Sequence, residues 1–422
     1  MAGWYIHVDG NSFYASCEKV FRPDLADKAV VVFSNNDGCI IARSPEAKAL
    51  DIKMGSPKYM VQDILDKGEM IGFSSNYTLY GDMSRRMMNI VADMVAKQEI
   101  YSIDECFGWL YPMPEGELLR LGLEVRRRVL QWIKIPVGVG IGTTKTLAKI
   151  ANKMSRHEPG KVLVLDSDEK RIEYLKKLAI QDVWGVGRQH ANRLKPHGIV
   201  SAWDFTQLPR EWVKKNMSVV GERLWYELNG ICCLEMLPPR ATSKNICTSR
   251  SFGKMMTEYE PISEAVATHA HRCAEQLRQQ DAFALIINVF LETNRFRPDL
   301  PQYNPSYTIN LPVASHASPD LVKAAIHSLK WIFKAGYQYQ KAGVIVSGLV
   351  PAETMQGDLF IDEETRKKQN TASAAMDKLN RIYGKDVVRT AAQGYAKQWR
   401  LRADFLSPCP TTKWGDVMKV SG

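Results

Sequence analysis

Paired cysteines, membrane-length apolar runs and a phosphate-loop consensus are all missing from this 422-residue chain. Its eight cysteines show no C-x-x-C spacing, and Cys232 and Cys233 are adjacent. Neither a disulfide framework nor a structural zinc site is built that way, so a reducing cytosol is expected. No apolar run approaches the roughly 18 residues that span a bilayer, so no membrane partner is expected. The first strand reaches Asp9 at once, so no signal peptide is expected. The glycines before Lys145 do not keep the spacing G-x-x-x-x-G-K-[ST], which sets aside a P-loop nucleotidase. What is present is ordinary for a globular protein: 45% hydrophobic and 24% charged residues, in a length that calls for two to four domains. A net charge of +10 points toward a polyanionic partner without deciding it.

The stretch Tyr101-Ser102-Ile103-Asp104-Glu105-Cys106 organises the rest. β-prone residues flank two adjacent acids, so strand, tight turn, strand is the expected course. At about 4 Å and an effective dielectric near 20, two such charges repel by on the order of 4 kcal/mol. A divalent cation removes that repulsion, although the hexapeptide alone also reads as a solvated turn. A second acid bears on the choice. Trp4-Tyr5-Ile6-His7-Val8-Asp9 reads as a buried strand ending in an acid. Gly10-Asn11-Ser12 then turns into a helix with Phe13, Cys17, Val20 and Phe21 at helical spacing. Taken alone, Asp9 also reads as a helix cap.

Between residues 22 and 77, Val30 to Phe33 and Cys39 to Arg43 are expected strands around the turn Ser34 to Gly38. A short helix follows from Pro45. A helix start favours phosphate, so Arg43, Lys48 and Lys53 are candidates for meeting a triphosphate; each also reads as a solvated charge. Tyr80 to Lys97 is an expected helix whose Met83, Met87, Ile90 and Met94 form a core stripe. After the hairpin comes a helix around Leu118 to Trp132. A strand from Ile135 to Gly142 then leads into a helix carrying Lys145 and Lys149, an arrangement able to hold phosphate. Residues 166–235 read as short helices. Within them Val183-Trp184-Gly185-Val186-Gly187-Arg188 has a helix-hairpin-helix pattern, whose glycines let backbone N–H groups approach a DNA phosphate. A plain helix-helix turn fits the same pattern. Residues 237–245 read as a linker, and beyond it the order β-α-β-β-α-β marks a small separate domain. Arg250, Lys254, Arg295 and Arg297 lie along or beside its strands, so one sheet face suits a nucleic-acid backbone. After Pro351 no regular pattern is expected.

A lone acid after the first strand and an acid pair on a hairpin about 95 residues later match the needs of two-metal phosphoryl transfer. Hard oxygen ligands fit two Mg²⁺ ions. Asp9 and Asp104 are expected to bridge both, Glu105 to hold the ion nearer the attacking hydroxyl, and the carbonyl of Gly10 the nucleotide-side ion.

Three segments then carry a resemblance. Asp9-x-Asn11-x-Phe13-Tyr14-Ala15-Ser16, Ser102-Ile103-Asp104-Glu105 and Lys145-x-x-Ala148-Lys149-x-Ala151 resemble the Y-family (translesion) DNA polymerases, in order, from the first strand to about residue 350. Asn35-Asn36-Asp37-Gly38-Cys39, Phe73-Ser74-Ser75-Asn76-Tyr77, Arg250-Ser251-Phe252-Gly253 and Leu406-Ser407-Pro408 resemble the branch serving the bacterial SOS response. The resemblance implies a multidomain α/β (α+β) right-hand polymerase, error-prone and template-directed. Its palm would be residues 1–21 and 78–165, its fingers 22–77, its thumb with the helix-hairpin-helix 166–236 and its little finger 246–350, before a tail over 351–422. Tyr14 is implied as the steric gate against a 2′-hydroxyl with Phe13 beside the sugar, and Lys149 as the triphosphate lysine with Lys145 in reserve. Gly185, Gly187, Arg188 and Arg250 are implied DNA contacts. Pro45 and Lys48 stand where many relatives have tyrosine and arginine, and Asp51 where glycine is common. Implied partners are primer-template DNA, deoxynucleoside triphosphates, a cleaved UmuD dimer and a RecA filament. Gln356-Gly357-Asp358-Leu359-Phe360 resembles a sliding-clamp peptide, with Gln356 at the rim and Leu359 and Phe360 as anchors.

Overall fold

Tyr5, Ile6, His7 and Val8 are buried on both faces of strand β1 (Trp4–Gly10), which therefore sits inside a sheet and not at its edge. The structure, a computed structural model, describes residues 3–237, 243–351, 363–395 and 398–418. They fall into two units: the described residues of 1–34, 38–239 and 405–422, and those of 35–37 and 240–404. Among the described residues no helix is long and apolar enough to cross a membrane.

In the first unit β1 leads into helix α1 (Phe13–Val20). A small sheet follows from β2 (Ala29–Phe33), β3 (Ile40–Arg43) and, after helices α2 (Pro45–Ala49) and α3 (Gln62–Asp66), β4 (Met70–Ser74). β2 lies between the other two strands, antiparallel to β3 and parallel to β4. Its unbroken apolar run is explained by two cores. Val30 and Val32 face the main core, while Val31 and Phe33 face a smaller one with Ile40, Ile52 and Met70.

Helix α4 (Tyr77–Ala92) buries Met83, Met87 and Ile90 as the stripe predicted, but starts three residues earlier than its periodicity suggests. The reason is local: the Asn76 side chain accepts from the Leu79 N–H at 3.2 Å and fixes the first turn. Met94 lies past the helix end, packed against the same core. The predicted hairpin is present as β5 (Lys97–Ile100) and β6 (Glu105–Leu110), antiparallel, with Asp104 at its tip. Helix α5 (Glu115–Ile133), β7 (Val137–Gly142), helix α6 (Lys145–Met154) and β8 (Val162–Leu165) complete a sheet of order β5-β6-β1-β7-β8. Helices α7 (Asp168–Lys177), α8 (Arg188–Leu194), α9 (Ala202–Thr206) and α10 (Arg210–Leu228) surround a separate core that includes Leu175, Phe205 and Val213.

The glycines of β7 have a packing role. The valines of Val137-Gly138-Val139-Gly140 enter the main core, while the glycines lie beneath α6. A Cβ on Gly140 would stand 1.9 Å from the Asn152 nitrogen and 2.3 Å from the Ala148 carbonyl oxygen. Nor is the start of α6 open to phosphate. The buried Glu227 carboxylate accepts from the Thr146 N–H at 3.1 Å, and Thr144 caps the helix by accepting from Leu147 at 3.2 Å.

The second unit contains β9 (Ile246–Met256), helix α11 (Tyr259–Gln279), β10 (Ala282–Thr293), β11 (Ser306–Ser315), helix α12 (Ser318–Ile332) and β12 (Tyr339–Pro351). The sheet order is β11-β10-β12-β9 with every neighbouring pair antiparallel. β12 thus lies between the parallel strands β9 and β10, the split β-α-β arrangement that the element order predicts.

One expectation is corrected here. Residues after 351 do contain regular structure, the 21-residue helix α13 (Glu363–Tyr383). Its docked face is polar, which is why apolar periodicity does not reveal it. Ser373 Oγ accepts from the Ser318 N–H at 3.3 Å, Asp377 takes the Arg278 guanidinium at 2.6 and 2.8 Å, and Asn380 pairs with the backbone of Val388 at 2.8 Å. The peptide Gln356 to Phe360 lies outside the described residues.

The packing of α6 on β7 generates a prediction. Gly140→Ala must push α6 off the sheet, and unfolding in urea should show a loss of about 3 kcal/mol or more. Gly116→Ala, with no atom near the added Cβ, should leave the transition unchanged or slightly raised.

Candidate active site

The sheet register places Asp9 opposite Glu105 across β1 and β6, and opposite Gly138 across β1 and β7. The Gly10 N–H donates to the Asp104 carbonyl at 2.7 Å, so the acid at the end of β1 and the acid pair of the hairpin share one end of the sheet. The hairpin tip is held from inside. Ser102 Oγ donates to Asp104 Oδ1 at 2.5 Å and accepts from the Asp104 and Glu105 amides at 3.3 and 3.2 Å. This is a hydroxyl-built turn, in a hexapeptide that alone also reads as a solvated turn.

The three carboxylates differ in their compensation. Glu105 Oε2 lies 3.0 Å from His7 Nε2 and 2.6 Å from Lys149 Nζ. Burial pushes the Glu105 carboxyl up, but the His7 and Lys149 contacts outweigh it and hold it below the ordinary range. His7, beneath it, is buried and its imidazole is pushed down by that burial, so it is neutral and donates through Nε2. Asp9 has no hydrogen-bond partner among the described residues. Burial, with Asp104 and Glu105 next in weight, raises its carboxyl to about 7. Among the described residues no three acid, histidine or cysteine side chains already converge as a ligand set. The donors nonetheless fit a divalent cation in kind. They are hard carboxylate oxygens, and among the described residues no cation is hydrogen-bonded to Asp9. With Glu105 turned to Lys149, the ammonium of Lys149 meets the charge such an ion would meet.

A cavity of about 310 Å³ opens here, lined by His7, Asp9, Glu105, Lys149, Arg156 and Trp184 among others. Lys149 Nζ also lies 4.6 Å from the Tyr101 ring centre and 5.3 Å from that of Trp184, so aromatic faces flank its charge. Lys145 is placed differently. Its Nζ is buried, 2.5 Å from Glu99 and 2.7 Å from the Glu235 carbonyl, and Glu99 also accepts from the Leu237 N–H at 2.6 Å. Lys145 joins β5, α6 and the segment after α10, and does not line the cavity.

Arg43 and Lys48 do reach this end of the sheet. Lys48 Nζ donates to Ser12 Oγ at 2.9 Å, and Ser12 holds the left-handed conformation (φ 49°) that starts α1. Burial and then the nearby charges of Arg156 and Arg43 push the Lys48 ammonium down, and the charge of Asp9 opposes them. Arg43 donates to the Ile52 carbonyl, and its buried Nε has no partner among the described residues. Lys53, also a candidate from sequence, is exposed. Asp51 has φ 54°, the left-handed region that favours glycine and that aspartate tolerates better than most residues.

Tyr14 is half-buried on α1. Its ring stacks on Tyr80 (centres 4.5 Å apart, planes 16° apart), with Tyr77 edge-on at 6.0 Å and Phe13 at 6.1 Å. Burial, then Tyr77 and Asp104, raise its phenol to about 12. Phe13 is buried against Gly10, where a Cβ would come within 2.7 Å of its ring. Gly185 (φ 90°) and Gly187 precede α8 with open space at Gly187, and Arg188 is exposed at the helix start. Arg250 is exposed on β9 of the second unit. His7, Trp184 and Arg156 were not singled out from sequence. Arg156 follows Lys149 and Lys153 at helical intervals, but α6 ends before it and a separate turn carries it.

Comparison with known proteins follows the same lines. Residues 8–153 match the impB/mucB/samB family and residues 243–359 its C-terminal domain, while residues 371–420 match a domain of unknown function. The chain is 40% identical to protein UmuC of Salmonella typhimurium, covering 98% of this chain and 99% of that one. It is 39% identical to protein ImpB of Salmonella typhimurium, covering 97% and 98%. A solved Y-family DNA polymerase chimera of Dbh and Dpo4 is similar with a TM-score of 0.63 and 19% identity, covering 82% of this chain and 99% of that one, a likeness of fold. The chain belongs to the impB/mucB/samB family, the UmuC-like branch of the Y-family DNA polymerases.

Proposed function

We propose that Asp9, Asp104 and Glu105 are the catalytic acids of this chain, an error-prone translesion DNA polymerase of the SOS response. The observation that carries the reading is the register that sets Asp9 opposite Glu105 while Gly10 binds the Asp104 carbonyl. In the reaction the primer 3′-hydroxyl oxygen bonds to the α-phosphorus of a deoxynucleoside triphosphate. The bond to the bridging oxygen breaks, pyrophosphate leaves, and the hydroxyl gives up its proton to water. Asp9, Asp104, Glu105 and the Gly10 carbonyl would hold two Mg²⁺ ions. Such ions activate the attacking oxygen and neutralise the leaving one.

The chain's own groups divide the remaining work. Lys149 and His7 hold the Glu105 carboxylate ionised. Arg43 and Lys48, with Arg156 beside them, supply positive charge for the triphosphate. As a point charge, Lys48 gives no bidentate contact of the kind an arginine makes. Tyr14 stands over the sugar with Phe13 and closes the space of a 2′-hydroxyl. Gly185, Gly187 and Arg188 meet the DNA backbone through N–H groups and charge, and Arg250 does so on the second unit. A sliding clamp bound through Gln356, Leu359 and Phe360, a cleaved UmuD dimer and a RecA filament complete the proposed partners.

Asp104→Asn keeps shape and removes a charge. Primer extension with Mg²⁺ and all four deoxynucleotides should fall by well over tenfold, roughly, while DNA affinity holds, since phosphate contacts dominate it. Extension above about a tenth of the wild-type rate overturns the assignment. The two lysines of α6 should separate cleanly. Lys145→Met leaves Glu99 without its cation and should cost about 3 kcal/mol in urea unfolding, with KM for the nucleotide unmoved. Lys149→Met, partly open to water, should cost less than about 1 kcal/mol and raise that KM.

A further inference from the structure

The role of the C-terminal residues is assigned by nothing so far described, and the structure ties them to Tyr14. Phe405 pairs with the end of β4: its carbonyl accepts from the Ser74 N–H at 3.0 Å and its N–H donates to Ser74 Oγ at 2.9 Å. Asn76, the buried cap of α4, donates through Nδ2 to the Ser407 carbonyl, Ser407 Oγ and the Pro408 carbonyl at 3.0, 2.9 and 3.2 Å. Cys409, also buried, places its Sγ 3.3 Å from Asn76 Oδ1. Ser407 Oγ then donates to Glu18 Oε1 at 3.0 Å, and the same oxygen accepts from the Tyr80 hydroxyl at 2.6 Å.

Tyr80 is fully buried, and it is the ring on which Tyr14 stacks. Stacking leaves a ring free to slide in its plane, so the position of such a pair is set by whatever polar end is anchored. Tyr14 has no hydrogen bond of its own among the described residues. Tyr80 has one, to Glu18, and Glu18 is oriented by Ser407. Burial raises the Glu18 carboxyl above the ordinary range, and the Tyr80 and Ser407 hydroxyls offset part of that rise by donating to it. Without Ser407 one donor fewer would hold that buried carboxylate, and the Tyr80 hydroxyl would be its remaining side-chain donor.

We propose that residues 405–409 form a strap whose Ser407, acting through Glu18 and Tyr80, positions Tyr14 and thereby sets how strictly the enzyme rejects ribonucleotides. Ser407, Glu18 and Tyr80 are positioning residues. The proposal rests on the reading of Tyr14 as the sugar gate.

The test compares kcat/KM for a deoxynucleotide and the matching ribonucleotide, in single-nucleotide primer extension by the full chain. Ser407→Ala should lower the deoxy-to-ribo ratio about tenfold, the scale of one buried hydrogen bond to a charge, with deoxynucleotide kcat/KM within about twofold of wild type. Ser407→Thr keeps the hydroxyl and should restore the ratio. Tyr80→Phe removes the other hydroxyl on Glu18 and should lower the ratio as well, which keeps the test open if Ser407→Ala fails to fold. A strap that only adds stability would lower the unfolding midpoint in Ser407→Ala and leave the ratio unmoved, which overturns the proposal. Tyr14→Ala separates the two readings. If it lowers the ratio while Ser407→Ala and Tyr80→Phe do not, the strap is wrong and the gate stands. If Tyr14→Ala leaves the ratio unchanged, the gate reading fails and the proposal falls with it.

Discussion

Three carboxylates at one end of a sheet repel one another, and much of the first unit answers that repulsion. Two acids about 4 Å apart oppose each other by on the order of 4 kcal/mol at an intermediate dielectric. The chain cannot offset this with surface lysines, because screened charges do too little. It brings one half-buried lysine to Glu105. Lys149 reaches Glu105 because α6 lies on the glycine face of β7, close enough that a single added methyl at Gly140 would strike its backbone. Below, neutral His7 donates a hydrogen bond without adding a second positive charge. The glycine alternation of β7, the start of α6 and the ionisation of Glu105 are thus one arrangement seen at three scales.

That arrangement also separates two lysines that sequence treats alike. Lys145 and Lys149 are four residues apart, so they project from neighbouring positions on one helix face. What divides them is non-local. Glu99, on the hairpin's first strand, takes Lys145 and at the same time the Leu237 amide, so that lysine is spent on holding elements together. Glu227 likewise fills the start of α6 with a carboxylate, where the bare pattern of strand, glycines, helix and lysines suggests a place for phosphate. Patterns within one segment show where a helix begins; they do not show what another segment has already placed there.

The legible parts of this chain are those where the signal is a contrast within a few residues. Asp9 at the end of an apolar strand and Asp104-Glu105 between β-prone residues stand out, and the structure brings them to one place. The order of elements in the second unit is legible because its strands and helices keep their apolar periods. Helix α13 is not, since the face it docks is Ser373, Asp377 and Asn380 and its partners are Arg278 and backbone groups. The start of α4 was hidden in a single cap residue, Asn76. Asp51 was visible as a departure from a common glycine, but its meaning, an aspartate held at φ 54°, needed the backbone.

Buried acids are common enough in this unit that burial alone does not mark a functional one. Glu227 accepts from three backbone amides, at Thr146, Cys233 and Leu234. Glu99 has an ammonium and an amide, and Glu18 has two hydroxyls. Each is satisfied by groups that stay in place, as a structural acid should be. Glu105 is satisfied too, but by a lysine that also lines the cavity and sits between aromatic faces. Asp9 is the exception: half-buried, beside two other acids, without a hydrogen bond among the described residues, and raised to about 7. What sets Asp9 apart is therefore the lack of a fixed partner among the described residues and not burial, since Glu227 and Glu18 are the more deeply buried acids.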